Sequence, residues 1–435
     1  MNRNAIDILT WGAAGDGVVS DTKIIQQAID EAAQQKQSVI FPAGVYLVGS
    51  LFLREKSHLI FEEGAVLKGT TAINEYPEIP TRIAGIEMKW PAAILNAIQV
   101  KEVTIEGPGL IDGQGEYWWE LYWGKDSKSG LRSTYDQQGK RWVADYLIKR
   151  PRACLIYEAE SIILKDLTFR RSGFWNLQVT YTKDVLIEAV TIRDNHGPST
   201  DGIDIDSSEN VRITGCHLGC GDDCIAIKSG RDGDGARVDR PSKNIEIDHC
   251  QITGGYGITL GSEVSAGVSR IHIHDIEFIG ADCGIRMKSS KERGGFIKEV
   301  IAENLTMTDV QFPFSWIMDW HNAYNRKVIS DRENLTDIER AVAKQIPEDL
   351  QMTKVQNIEI KNVQAKMSSD YSLPSRAFDL VAFSEKPMEN VLFENCKIIA
   401  KEFGRIIGVD KLLLKDVDLT IFDENEQSND SFDNR

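Results

Sequence analysis

No stretch of the chain approaches the roughly 20 apolar residues that a membrane-spanning helix needs, so a membrane-spanning class is not expected. Basic residues are in deficit. Lys and Arg number 50 against 66 for Asp and Glu, a net charge of -16, and such a surface repels phosphate backbones and anionic lipid. Nucleic acid and membranes are therefore set aside as partners, and an anionic substrate has to be met by a local concentration of cations. The opening MNRNAIDILTWGAAGDG has no basic segment followed by an apolar core, so a cytoplasmic location is expected. An even cysteine count is also missing. Seven cysteines without a signal argue for reduced thiols rather than a disulfide framework. The cluster Cys216, His217, Cys220, Cys224 matches no common zinc spacing, and neither a metal nor a cofactor is expected. Nothing in the sequence indicates an oligomeric state.

Helix-period segments of any length are scarce too, and in their place a short strand pattern returns at intervals of roughly 20 to 35 residues, the range of a solenoid. It reads SIILKDLTF at Ser161, DVLIEAVTI at Asp184, NVRITGCHL at Asn210, NIEIDHCQI at Asn244, SRIHIHDIEF at Ser269, EVIAENLTM at Glu299, NIEIKNVQA at Asn357 and NVLFENCKI at Asn390. Each unit alternates apolar and polar residues and is too short to bury its apolar face alone. Stacking would bury it. The expected fold is an all-β, right-handed parallel β-helix forming one domain over residues 1–422, with coils about 4.8 Å apart. A cap over about residues 1–70 includes a helix over Thr22–Gln35, with Asp21 and Thr22 as capping candidates. Asp331–Gln345 also reads as helix, and residues 423–435 as a disordered acidic tail.

Four coils align on their own pattern: DGIDID from Asp201, DCIAIK from Asp223, YGITLG from Tyr256 and CGIRMK from Cys283. Their third and fifth positions are apolar and should point into the core, while the second, fourth and sixth, Cys224 among them, should face outward. Strict alternation would bury Asp201 and Asp223 in an apolar interior, which costs too much for an unpaired carboxylate. The glycines beside them are expected to break the alternation and leave both outside, on adjacent coils, with Asp222 one residue away.

Carboxylates this close cannot all ionise, so one should hold its proton while another stays charged. Glycoside hydrolysis needs that division between an acid and a base. Plain turn aspartates and a calcium site remain alternatives for the same residues. Arg286 and Lys288 on the coils beyond would supply the local positive charge, with an ion pair from Arg286 to Asp204 as the competing role.

On STDGIDID, GDDCIAIKSG, GYGITLGSE and GIRMKSS, together with the N-terminal IDILTWGAAGDGVVSDTKIIQQAID and FPAGVYLVGSL segments, the sequence resembles the polygalacturonase family, glycoside hydrolase family 28. The likeness runs to about Trp320, and GITLGSEVSAGVSR and SWIMDWHNAY are similar to bacterial exo-acting or rhamnogalacturonan-directed members. It implies an inverting mechanism, with Asp201 and Asp223 activating water, Asp222 donating the proton, and Arg286 and Lys288 binding the substrate carboxylate. Two positions depart from the pattern. Ser199 replaces the usual Asn, and Tyr256 replaces the His of Gly-His-Gly, which shifts the expected substrate more than the reaction.

The aromatics of Glu116–Trp142 read equally as a sugar-stacking wall or as anchors for a long loop. Trp175 and Asn176 are further substrate-binding candidates, as are His196, a substitute for the missing histidine, and Glu263. The expected function is exo-acting hydrolysis of α-linked galacturonic acid from pectin-derived oligosaccharides. A calcium-dependent β-helix lyase and a non-catalytic carbohydrate-binding solenoid stand as the alternatives.

Overall fold

The computed structural model of the chain describes residues 5–325, 327, 329 and 333–422. Each strand lies parallel on its counterpart one coil earlier, as in the series Glu160–Lys165, Lys183–Glu188, Glu209–Thr214 and Ser242–Asp248. An eleven-stranded ladder on another side of the coils runs from Leu51–Phe52 to Glu402–Ile407. The architecture is the right-handed parallel β-helix that the repeats predict.

The register of the four central coils follows from their apolar columns. Ile203, Ile225, Ile258 and Ile285 are paired neighbours, as are Ile205, Ile227, Leu260 and Met287, and all eight are buried. Each such side chain contributes about 1.5–3 kcal/mol by leaving water, and a one-residue slip would turn the whole column outward. Where the coils bend, asparagines adopt the left-handed conformation they tolerate best among non-glycine residues. Asn210, Asn244, Asn304, Asn362 and Asn395 all have φ between 54° and 56°. Their amides stack: Asn244 donates to Asn210 at 2.9 Å and Asn395 to Asn362 at 2.8 Å.

The helix Thr22–Gln35 buries Ile25, Ala28, Ile29 and Ala32 over the first coils. Asp21 occupies its N-cap position, yet its carboxylate turns away from the helix and accepts from the backbone N–H of Ala14 at 2.7 Å and Gly15 at 3.1 Å. The later helix spans only Asp337–Val342, because a capping box between Thr336 and Glu339 starts it there; Asp331 and the tail 423–435 lie outside the described residues. Cys224 is a correction. It packs in the core rather than on the outer face, so the break in alternation falls one residue further along than expected. Cys216 and Cys220 are buried too, whereas His217 is exposed, so this cluster does not converge on a common point.

Two excursions lie over the eleven-stranded ladder. The hairpin Glu78–Ile83/Ile86–Pro91 is antiparallel and packs on the outward face of the early coils, where Asn96, Leu155 and Gln178 are fully buried beneath it. Residues 115–147 form the helices Gly115–Trp123, Leu131–Gln137 and Arg141–Leu147. Trp118, Tyr122 and Trp142 are buried, and Trp119 donates to the Ser172 carbonyl at 2.8 Å. The aromatics therefore anchor the insert, the second of the two readings above.

On the opposite sheet, burial would raise the Asp248 carboxyl, but hydrogen bonds from Arg212, Thr214 and His249 outweigh it and bring the pKa down to about 2. A depressed carboxylate stabilises the fold above its unfolded value and loses that contribution as the pH falls through its folded one. Asp248→Asn is expected to cost about 2 kcal/mol at neutral pH. The deficit should shrink between pH 4 and pH 2 in denaturant titrations; a pH-independent deficit would contradict the assignment.

Candidate active site

Outside the ladder, the coils that begin at Asp201, Asp223, Tyr256 and Cys283 form one side of a cleft of about 400 Å³. The turns preceding these strands direct Asp201, Asp222 and Asp223 into it, and their carboxylate oxygens lie within 4.8 Å of one another. Asp201 and Asp223 are nearly inaccessible to water, and Asp222 is half-buried.

The three are in different electrostatic states. Burial acts to raise Asp223, but Lys288, Arg286 and Lys228 outweigh it and hold this carboxyl below the usual range. Lys288 Nζ stands 2.6 Å from Asp223 Oδ2, while Arg286 Nη1 at 3.1 Å and Thr259 Oγ1 at 2.7 Å donate to Oδ1. Asp222 is raised by burial and by the charge on Asp223. Its Oδ1 accepts the backbone N–H of Asp223 at 3.0 Å, which fixes one carboxyl relative to the other.

Asp201 is raised well above the usual range by burial and by neighbouring Asp204, itself raised chiefly by burial. Lys228 bridges these two, 3.2 Å from Asp201 Oδ2 and 2.5 Å from Asp204 Oδ1, and its ammonium lies 4.0 Å from the centre of the Trp175 ring. With one ammonium serving two raised carboxyls, Asp201 and Asp204 are expected to titrate together rather than independently. The competing partner expected for Arg286 is thus corrected: Lys228 takes Asp204, and Arg286 takes Asp223.

Calcium fits this group poorly. Lys228, Lys288 and Arg286 already occupy carboxylate oxygens that a hard cation would need, and they would stand against its charge.

Of the other expected binding residues, Tyr256, Glu263 and Trp175 line the cleft together with Arg286 and Lys288. Tyr256 lies under the Arg286 guanidinium at 4.3 Å. Glu263 is held below its usual range, because Lys228, Arg293 and Arg231 outweigh its burial. Asn176 is displaced in role: it is fully buried and donates to the Asp201 carbonyl at 2.9 Å, supporting the turn from below. His196 is exposed and outside the lining, and the histidine that does line the cleft is His321, beside Trp320 and Tyr324. Lys228, Trp320, His321, Tyr324, Arg132 and Arg141 were not singled out from the sequence. Lys228 was visible in the sixth column of the alignment; the insert residues had no periodic pattern to place them.

The family described as glycosyl hydrolases family 28 matches residues 33–339. A probable polygalacturonase of Vitis vinifera is 31% identical over 72% of this chain and 62% of its own length. An exo-poly-alpha-D-galacturonosidase of Dickeya chrysanthemi is 26% identical over 70% of this chain and 55% of its own. The chain thus spans less than two thirds of the length of both curated relatives. In three dimensions, a hyperthermoactive exopolygalacturonase from Thermotoga maritima superposes with a TM-score of 0.75 at 22% identity, covering 95% of this chain and 92% of that one.

Proposed function

This chain belongs to glycosyl hydrolases family 28, and on that premise we propose that it releases terminal galacturonic acid from α-linked, pectin-derived oligosaccharides by inverting hydrolysis. One observation carries the reading: two adjacent aspartates in contrasting surroundings, Asp223 ion-paired to Arg286 and Lys288 and held below the usual carboxylate range, and Asp222 raised by burial beside that charge. Asp222 is the acid that protonates the departing oxygen. Asp223 draws the proton from water, and Asp201, titrating together with Asp204, orients that water.

Arg286 and Lys288 present the positive charge that a uronate needs within an acidic protein, and Trp175 and Trp320 offer faces to its sugar ring. Exo action is supported by the hairpin. The outward residues of the coils before Asp201 are covered, and the hairpin tip at Ala84 forms part of the cleft lining. A chain end fits where a continuous polymer would meet a wall. The reading extends to a reducing, cytoplasmic setting, in keeping with seven buried free thiols.

The carboxylates stand closer than the roughly 6.5–9.5 Å usual for an inverting pair, a spacing that leaves room for water between one acid and one base. Here two carboxyls, Asp201 and Asp223, share the water, so it need not lie on the line between acid and base. The test is the first-formed anomer. Proton NMR of defined galacturonate oligosaccharides should show new reducing ends that are initially β. Initial α-product would overturn inversion, a chelator-sensitive ultraviolet-absorbing product would indicate a lyase, and binding without new reducing ends would indicate a non-catalytic solenoid.

A further inference from the structure

The longer of the two parallel sheets, whose strands stay out of the cleft lining, gathers three of the chain's seven histidines. His272 and His274 stand two apart on the strand Val268–Ile279, so both side chains leave the same face. Their register partners on Ser242–Asp248 are Glu246 and Asp248. Four side chains of metal-ligand type thus occupy the corners of one square, on strands about 4.8 Å apart. The His272 and His274 rings lie 4.3 Å apart, and His249 flanks the square with its ring 6.1 Å from that of His274. Glu246, Asp248 and His274 each bring one donor atom within 4.8 Å of the others.

His274 is already oriented. Its Nδ1 lies 2.7 Å from Asp275 Oδ2, and Asn304 donates to the other oxygen of that carboxylate at 3.1 Å. An ionised carboxylate only accepts, so Nδ1 carries the hydrogen and a neutral ring keeps its lone pair on Nε2. That nitrogen faces Glu246 Oε1 at 3.3 Å. Two acceptors so placed need a cation between them, either a proton on the ring or a metal. A carboxylate behind the far nitrogen is the arrangement that fixes a metal-binding imidazole and raises its basicity. Asp248 has room for a further partner: Oδ1 accepts from Thr214, His249 and Arg212, whereas Oδ2 accepts only from Arg212, at 3.0 Å. Arg212 stands there with four carboxylates, those of Glu246, Asp248, Asp275 and Glu303, the last 2.8 Å from His272 Nε2, so the patch keeps negative charge for a dication.

We propose that Glu246, Asp248 and His274, with His272 as the fourth ligand, bind a divalent cation of the zinc type. Imidazole and carboxylate together suit zinc, whereas calcium and magnesium seek oxygen ligands. The cation ties the coil of Ser242–Asp248, which continues to Tyr256, to that of Val268–Ile279, which continues to Arg286 and Lys288. It is a brace applied from outside to two coils that line the cleft, and it stands independently of the reaction proposed above.

The test is calorimetric titration of the full chain, carrying no added histidine tag, with zinc chloride, alongside thermal unfolding. Wild type should saturate near one equivalent, and its unfolding midpoint should rise with zinc concentration, because a ligand of the folded state stabilises by mass action. His274→Gln should lose both effects. Glu246→Gln, at a half-buried surface position, repeats the comparison should His274→Gln fail to fold. Asp275→Asn, which removes only the group behind the imidazole, should weaken binding about 10- to 100-fold, and His196→Gln, exposed elsewhere, should leave it unchanged. Zinc that binds His274→Gln or Glu246→Gln as tightly as wild type overturns the proposal, and loss of that binding in Asp222→Asn would assign the cation to the cleft instead. Wild type without saturable binding overturns it as well, and leaves a proton as what joins His274 to Glu246.

Discussion

Asp222→Asn slows hydrolysis of a natural galacturonide linkage by about 10³-fold in kcat, near 4 kcal/mol of barrier, which lies within the range general acid catalysis supplies. The loss should be confined to substrates whose leaving group needs a proton. An aryl galacturonide with an acidic phenol departs without help and should keep most of its rate. The variant should not fail for want of structure, because an asparagine side-chain oxygen can still accept the Asp223 backbone N–H that Asp222 accepts at 3.0 Å. KM should change little. The alkaline limb of the wild-type pH profile reports Asp222 losing its proton, a pKa raised by burial and by the Asp223 charge, so the variant should lack that limb on the aryl substrate. Equal loss on natural and activated substrates would contradict the assignment.

Arg286→Lys is expected to lower kcat/KM on digalacturonate by about 30- to 1000-fold, or 2–4 kcal/mol. The guanidinium is nine-tenths covered, lies against the Tyr256 and Trp320 rings at 4.3 and 5.7 Å, and donates to Asp223 at 3.1 Å. An ammonium there keeps the charge and loses the planar fork. Arg286 also helps to hold Asp223 ionised, against its burial. A less well placed cation lets that pKa climb toward its ordinary value, so the acid limb of kcat/KM should move to higher pH in the variant. A fall in activity with an unmoved acid limb would separate Arg286 from Asp223, and an unchanged kcat/KM would remove it from recognition.

The parts of this molecule that repeat were legible, and the parts that interrupt the repeat were not. Ile203, Ile225, Ile258 and Ile285 could be aligned because a period of two in every coil leaves one register in which the apolar columns coincide. That register alone carries Asp201, Asp223, Arg286 and Lys288 into one neighbourhood. Cys224 failed at the strand start, where glycine-bearing turns let the backbone leave the alternation, and the sequence does not say at which residue it resumes. The insert failed more broadly. Its aromatics read equally as sugar-stacking groups or as anchors; Trp118, Tyr122 and Trp142 form its own interior, and the residues it delivers to the cleft, Arg132, Arg141 and Asp145, carried no signal in the sequence. His196 precedes Asp201 closely in the chain, but in a coil that turns a corner between them nearness in sequence says little about nearness in space. Lys228 was within reach of the alignment, but its importance depends on Trp175 and Asp204, contacts made across neighbouring coils.

If the chain acts at oligosaccharide ends, as proposed above, the hairpin over the early coils also sets the order in which products depart. A sugar severed at the hairpin end of the cleft would have the remainder of the oligosaccharide on its open side. The shortened chain must retreat first and the single sugar follow, so the chain cannot be drawn onward for another cut while it stays bound. Each turnover then begins with a fresh encounter. Such an enzyme trims a population of chains evenly instead of consuming one before starting the next, and an accumulating monosaccharide, last to leave, occupies the free enzyme as a competitor of the incoming chain end.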